Sequence, residues 1–377
     1  MKEGWTYKKL GEVCEKIKTI RWEEINEEDS FSYIDLSSVD RLSLSIKDPQ
    51  TITKTNAPSR AKQIVKKGDI LFATTRPTLR RVCLIPSSFD NQICSTGFCV
   101  IRPKENILSK WIYYLLQSDN FYYYIEPLQT GASYPAVTDN VVKGYQISSP
   151  SMDEQRAIVA RLDSAFAQID SLKANAEKQL SEARQLFQKA LEEAMTPKEG
   201  WVEKRLPDIS ENLDSIRVPV TKKNRTEGKY PYYGASGIVD YVDDYLFDED
   251  LLCISEDGAN LLMRTYPIAF PISGKVWVNN HAHVLRFKSM TTQNYVNYYL
   301  EGIKLDEYIT GAAQPKLTQK ALNSIPINIP ATIEVQHTIV AHLDSLSSHV
   351  RTLEEKLKKM KDECDALKQA ILREVFE

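Results

Sequence analysis

The sequence predicts an α+β protein: two mixed α/β globular parts in tandem, each followed by one long helix. Three observations predict it. The 377-residue chain repeats itself. Each copy opens with short β-branched and aromatic runs broken by Gly, Pro, Asn and Asp. Each copy closes with a glycine-free tail rich in Ala, Leu, Glu, Lys and Gln, over residues 151–196 and 331–377.

The repeat is legible at its ends. "KEGW" stands at Lys2–Trp5 and again at Lys198–Trp201. "TGASYPAVTDN" from Thr130 meets "TGAAQPKLTQK" from Thr310, placing Gly131, Ala132, Pro135 and Thr138 opposite Gly311, Ala312, Pro315 and Thr318. "QRAIVARLDS" (Gln155–Ser164) faces "QHTIVAHLDS" (Gln336–Ser345), and "ALEEAM" from Ala190 faces "ILREVF" from Ile371. Between these ends, Asp69-Ile70-Leu71 lines up with Asp250-Leu251-Leu252, and Tyr113-Tyr114-Leu115 with Tyr298-Tyr299-Leu300.

The elements follow in order. In residues 1–150, "GDILFAT" reads as a strand and "KWIYYLLQSDNFYYYI" as a half-buried helix. Residues 151–197 form the first long helix, bracketed by Pro150 and Pro197. Residues 198–330 repeat the globular plan, with "DLLCISEDG" and "KVWVNNHAHVLRF" as strands and turns and "QNYVNYYLEGIKLDEYI" as helix. Residues 331–377, entered after Pro330, form the second long helix. Steps of four and three mark a seam along it: Ile339, Leu343, Leu346, Val350, Leu353, Leu357, Met360, Cys364, Leu367 and Ile371. Shifted by the repeat, the first helix gives Ile158, Leu162, Ala165, Ile169, Leu172, Ala176, Gln179, Ala183, Leu186 and Ala190. A single helix about 67 Å long with one apolar stripe needs a partner, and the nearest is the other tail. The alternative is that each helix packs on its own globular part.

Composition narrows the function. No apolar run reaches the ~18 residues a membrane span requires, and the start lacks the pattern of a secretory leader, so a cytoplasmic protein is expected. Six cysteines without a CxxC pair read as reduced structural thiols, not as a disulfide framework or zinc site. The net charge of −3 gives no global attraction to nucleic acid, although residues 1–150 carry 20 basic against 17 acidic groups and residues 198–330 carry 15 against 17. GxGxxG, P-loop, HExxH and GxSxG motifs are absent, which argues against catalysis. Glu354-Glu355-Lys356 resembles a nuclease ExK only superficially, because it lies on the heptad helix as solvent-facing charge.

Two similar heads on a stiff strut make a ruler, and double-stranded nucleic acid, whose groove faces recur each ~34 Å, suits a ruler. The candidate DNA contacts are clusters of Arg, Lys, Thr, Ser, Asn and Tyr, the side chains that grip phosphates and read base edges. In the first copy they are Lys54, Arg60, Lys62, Thr74, Arg76, Arg80, Arg81, Ser133 and Tyr134. In the second they are Tyr233, Ser236, Asn260, Lys275, Asn279, Asn280, His281, Gln314 and Lys316. Each has a plainer reading: solvating charge for the arginines, core for the tyrosines, simple turns for the Gly-Ala loops. His281 and His283 would share a face on a strand, but no nearby third ligand makes them a metal site. A coiled-coil scaffold with protein-binding heads, or an orphan two-domain DNA binder, stays open on these residues alone.

"GWTYKKLGEV", "GDILFATTR", "YPYYGASGIVDYVDDYLFDEDLLCISEDGAN", "TGAAQPKLTQKALNSIPI" and the two helix starts together closely resemble a type I restriction-modification specificity subunit, over essentially the whole chain. The resemblance implies that residues 1–150 and 198–330 are target recognition domains, each reading half of an interrupted DNA sequence. It implies that the two helices pair antiparallel as the spacer and dock two methyltransferase subunits. Those subunits would bring S-adenosylmethionine and adenine methylation; restriction subunits would bring ATP, Mg and cleavage; this chain would bind no cofactor itself.

Overall fold

The start of each globular part is tied to its end. The strand Thr6–Lys9 pairs antiparallel with Gln146–Ser149, and Trp201–Lys204 with Ile327–Pro330. This accounts for the repeated "KEGW" beginning. Trp5 meets Trp111 edge-on at 5.7 Å, and Trp201 meets Tyr295 at 6.1 Å, so each copy's entering strand is stapled by its tryptophan onto the first core helix. The structure is a computed structural model and describes residues 4–311 and 313–376; Lys2 and Glu3 of the first "KEGW", and Ala312, lie outside the described residues.

Two compact units result, Met1–Asn175 with Lys358–Glu377, and Ala176–Leu357. The first holds a four-stranded sheet in the order Gln50–Thr53, Ser30–Ile34, Ile93–Ser95, Ala61–Ile64, and a three-stranded sheet with Ile70–Ala73 between Phe98–Ile101 and Val82–Leu84. The second has the same centre, Leu251–Ser255 between Ala282–Phe287 and Ala269–Ile272, and a second sheet built around Glu227–Gly234. Both central strands are buried along their length, which is why they read as unbroken apolar runs. Helices Ser109–Leu115 and Asp119–Ile125 cover the first core, where the sequence predicts one continuous helix, and Met290–Gly302 covers the second. The break falls at Ser118, whose hydroxyl accepts from Phe121 N as an N-cap. Burial pushes the Cys14 and Cys83 thiols up to about 11 and about 12, so both stay protonated.

The long helices run Met152–Met195 and Ile333–Phe376. Their repeated opening motif is a clamp. Gln155 accepts from Leu108 N and donates to Pro150 O; Gln336 accepts from Thr292 and donates to Pro330 O. The "LDS" aspartates continue it: Asp163 accepts from the Tyr114 hydroxyl and Asp344 from Tyr298. Tyr114 is thus the counterpart of Tyr298, one residue on from the sequence alignment of Tyr113 with Tyr298.

The α+β class and the antiparallel helix pair hold. In the first unit Asp170 faces Lys368 while Lys173, one turn on, faces Asp365; in the second Arg184 faces Glu354. The helices do more than pair. Phe376 reaches Trp111 at 4.7 Å and Gln369 bonds Asp119 N and Gln117 O, so the second helix ends on the core that the first helix starts from.

The seam of the first helix departs from the expected one. Leu162, Ile169, Ala176, Ala183 and Ala190 lie on it, but the alternating positions are Val159, Phe166, Leu180 and Phe187; Ile158 and Ala165 are half-buried beside it. Leu172 and Leu186 are 58% and 60% exposed. A 4-3 and a 3-4 pattern share every second position, and the larger side chains Phe166, Leu180 and Phe187 decide between them by burying more apolar area. On the second helix Leu343, Leu346, Val350, Leu353, Leu357, Met360, Cys364 and Ile371 are buried or half-buried, Val340 is buried more deeply than Ile339, and Leu367 is 51% exposed. Lys368 takes the place of Leu367, its ammonium 5.1 Å from the Phe166 ring centre and 2.6 Å from Asp170.

Candidate nucleic-acid interface

In each unit the central strand runs into an exposed turn, and the glycine loop folds back onto that turn. Thr75 and Thr130 both bridge Ala136, Arg76 N donates to Pro135 O (2.6 Å) and Val137 N to Thr74 O. In the second unit Asp257 and Thr310 both bridge Lys316, Gly258 N donates to Pro315 O (3.0 Å) and Leu317 N to Glu256 O. The loop glycines are required: Gly131 and Gly311 have φ 94° and 86°, and a Cβ on Gly311 would collide with the Gln314 carbonyl.

Both turns coil into one short helix, Pro77–Leu79 or Asn260–Met263, closed by an arginine in the left-handed region, Arg80 (φ 56°) or Arg264 (φ 51°). These arginines anchor the turn. Arg80 bonds Asp119 at 2.7 Å and lies over the Tyr122 ring, while Arg264 donates to Leu300 O and Ile303 O. Burial lowers the pKa of Arg264, against the pull of Glu301. Pro77 corresponds to Leu261, both buried, and exposed Thr78 to exposed Leu262.

Several expected contacts are therefore scaffold. Arg80 is spent on Asp119, and Arg81 is half-buried with Nε unpartnered among the described residues. Thr74 is buried with its hydroxyl on Gly97 O. Asn260, 7% exposed, accepts from Thr265 N, Thr265 Oγ1 and Tyr266 N and donates to Tyr266 O. Asn279 is buried and caps His281 N, and Tyr233 stacks on Phe270, with burial raising its hydroxyl pKa. Lys54 bonds Ile25 O; Lys275, though exposed, lies beside Tyr245, whose side-chain hydrogen bond raises its pKa.

Other expected residues stand open. Arg76 projects with its guanidinium 4.7 Å from the Tyr134 ring centre and touching Ser133 O; Ser133 and Tyr134 are exposed with it. Gln314, Lys316 and Asn280 are exposed in the second unit, and Ser236 bonds the Tyr266 hydroxyl. Arg60 and Lys62 are exposed and make no side-chain bond among the described residues; Lys62 is on the strand Ala61–Ile64 of the other sheet, and Arg60 immediately precedes that strand.

The second turn rests on an ionic cluster. His283, 1% exposed, holds Asp214 through Nδ1 (2.6 Å) and Leu317 O through Nε2 (2.8 Å). Arg217 pairs with Asp214 and Glu256, and Lys316 with Glu256 at 3.1 Å. Burial alone would raise both carboxyls; hydrogen bonds from His283 to Asp214 and from Arg217 to Glu256 bring them below their ordinary values. His281 and His283 do not share a face: His281 precedes the strand Ala282–Phe287 and turns out to Asp257 (2.7 Å). Sequence reasoning missed Asp214, Arg217, Glu256 and His283, and also exposed Leu262, Met263 and Tyr266. The fallback of Lys316 onto Asp257 and Glu256 has no local signal.

The pattern of the type I restriction modification DNA specificity domain matches residues 2–182 and 198–361. A putative type I restriction enzyme specificity subunit of Haemophilus influenzae is 36% identical over 145 residues, 38% of this chain and 37% of that protein. The chain thus aligns with about a third of that relative's length. The MjaIX specificity subunit of Methanocaldococcus jannaschii is 23% identical over 90% of this chain and 87% of its own. A solved chain from work on complex assembly and conformational transition of the type I R-M system superposes with TM-score 0.83 at 27% identity, covering 100% of this chain and 98% of that one. The HsdS subunit of Thermoanaerobacter tengcongensis gives TM-score 0.60 at 28% identity, covering 100% and 97%. With two matched specificity domains, each closed by a long helix, the chain belongs to the type I restriction-modification specificity subunits.

Proposed function

We propose that each unit reads one half of an interrupted DNA target through its exposed turn and glycine loop, with the long helices as spacer, and that the chain does no chemistry itself. The observation that carries this reading is the recurrence of one scaffold with different exposed side chains: Arg76, Thr78, Ser133 and Tyr134 in the first unit, Leu262, Met263, Gln314 and Lys316 in the second. A shared scaffold with unlike tips is what two unlike half-sites require. Phosphate contacts set the register and base-edge contacts set the sequence, so affinity falls steeply with salt.

In the same proposal two methyltransferase subunits dock on this chain and supply S-adenosylmethionine, and each target adenine is flipped into a methyltransferase. Restriction subunits supply ATP, Mg and cleavage, and the assembly works in the cytoplasm. The similarity to a chain solved in work on type I complex assembly supports this arrangement. Among the described residues no helix is long and apolar enough to cross a membrane, and no cluster of His, Cys, Asp or Glu is placed to hold a metal.

Methylome sequencing of a host carrying the chain with its methyltransferase subunit tests the reading. One split motif with a methylated adenine in each half is expected; a continuous motif, or none that depends on this chain, overturns it.

A further inference from the structure

The second unit displays two large apolar side chains where the first displays a threonine and a half-buried leucine. Leu262 is 48% exposed and Met263 67%, side by side on the one-turn helix Asn260–Met263. Such exposure forgoes roughly 25 cal/mol for each Å² of apolar surface that burial would remove from water. It is not slack in the chain, because the turn is held from four directions. Asn260 makes four bonds beneath it. Arg264 fastens its end to Leu300 O and Ile303 O. The Tyr266 hydroxyl meets Ser236, and Gly258 N holds the glycine loop through Pro315 O. A rigid turn that projects apolar side chains beside exposed Gln314 and Lys316 presents them to whatever the loop meets.

We propose that Leu262 and Met263 are specificity-determining side chains of the second unit, and that they recognise the C5 methyl groups of thymines in the major groove. The inference rests on the DNA-reading role proposed above and names the chemistry one half-site offers. Phosphates give an apolar side chain nothing to bond, and the base edges of the major groove are polar except for the thymine methyl. At the position matching Leu262 the first unit keeps the hydroxyl of Thr78, and two residues earlier Arg76 sets a cation beside Tyr134. The first half-site is therefore read through hydrogen bonds and the second through methyl contacts.

The test uses the full chain co-purified with its methyltransferase subunit. Duplexes with random sequence are selected for binding, and each thymine of the selected sequence is then replaced by deoxyuridine, which removes only the methyl. The expected result is a loss of roughly fourfold per methyl at one or two thymines of a single half-site, the worth of one buried methyl group. Leu262→Ala with Met263→Ala should abolish that sensitivity and leave the other half-site unchanged, while Leu262→Thr, the residue of the first unit, should relax the thymine preference. Both positions are exposed, so the fold tolerates these variants. A selected split sequence without any methyl dependence, or one whose methyl dependence survives in the double variant, overturns this inference alone. Variants that keep base preference but release the methyltransferase subunit assign the pair to a protein contact and also overturn it. Selection of no split sequence overturns the two-half-site reading and the inference with it.

Discussion

The turns at Arg76–Arg80 and Gly258–Arg264 share a skeleton and differ in nearly everything else. Both end in a left-handed arginine fastened to a neighbouring helix, and both are pinned by a glycine loop through the carbonyl of a proline, Pro135 or Pro315. Beneath the first turn, Phe98 stands opposite Ala73 on the strand pair. At the matching register the second places His283 opposite Ile254 and builds the cluster with Asp214, Arg217 and Glu256 around it. The duplicated scaffold kept the anchors of the turn and let the tip and its support vary.

The largest expected effects concern the shared skeleton. Phe166→Ala should destabilise by about 3–5 kcal/mol and Leu172→Ala, exposed and off the observed seam, by less than about 0.5, measured by urea unfolding; equal losses would restore the seam read from the sequence. Arg102→Ala strands buried Asp69, which it grips at 2.7 and 2.8 Å, and should cost about 3–5 kcal/mol. Arg286→Ala breaks the more exposed pair with Glu249 and should cost about 1 kcal/mol or less. A further step down, Gly311→Ala forces an L side chain into φ 86° against Gln314 and should cost about 1–2 kcal/mol, with faster amide exchange in its loop; Gly131→Ala meets a looser contact and should cost less.

The ionic cluster predicts an asymmetry with pH. Asp214 and Glu256 have lowered pKa values in the fold, so their contribution is present above the ordinary 3.8 and 4.5 and is lost as pH falls through the lower folded values. Acid titration monitored by exchange should therefore open the 310–317 loop before the 130–137 loop, and Asp214→Asn should flatten the acid limb while lowering stability at neutral pH. Simultaneous opening would dissolve the contrast. The smallest effect is expected at Arg76: Arg76→Ala should reduce the salt slope of DNA binding by about one, whereas an unchanged slope removes it from the phosphate contacts.

Much of the architecture is legible in local sequence. The duplication, the long helices, the strands Ile70–Ala73 and Leu251–Ser255 and the paired glycine loops follow from local pattern, because burial, turn conformation and helix propensity leave their mark on neighbouring residues. In the exposed turn, residue type alone does not say which side chains face solvent. Arg80 and Asn260 look like ligand residues in sequence and serve as anchors. Leu262 and Met263, apolar and marked by no motif, stand in solvent. The alignment also drifts here: Ala73 matches Ile254, but Arg80 matches Arg264, so the second turn carries extra residues.

What the sequence determined by itself is what depends on residues close along the chain: the period of the helices, the strand runs, and the left-handed glycines. What the tertiary structure alone decided is which of two nearly degenerate stripes faces inward, which arginine is spent on a distant carboxylate such as Asp119, and that Lys316 returns to Glu256. These are outcomes of competition for burial and charge between residues far apart in the chain, and no local pattern records who wins.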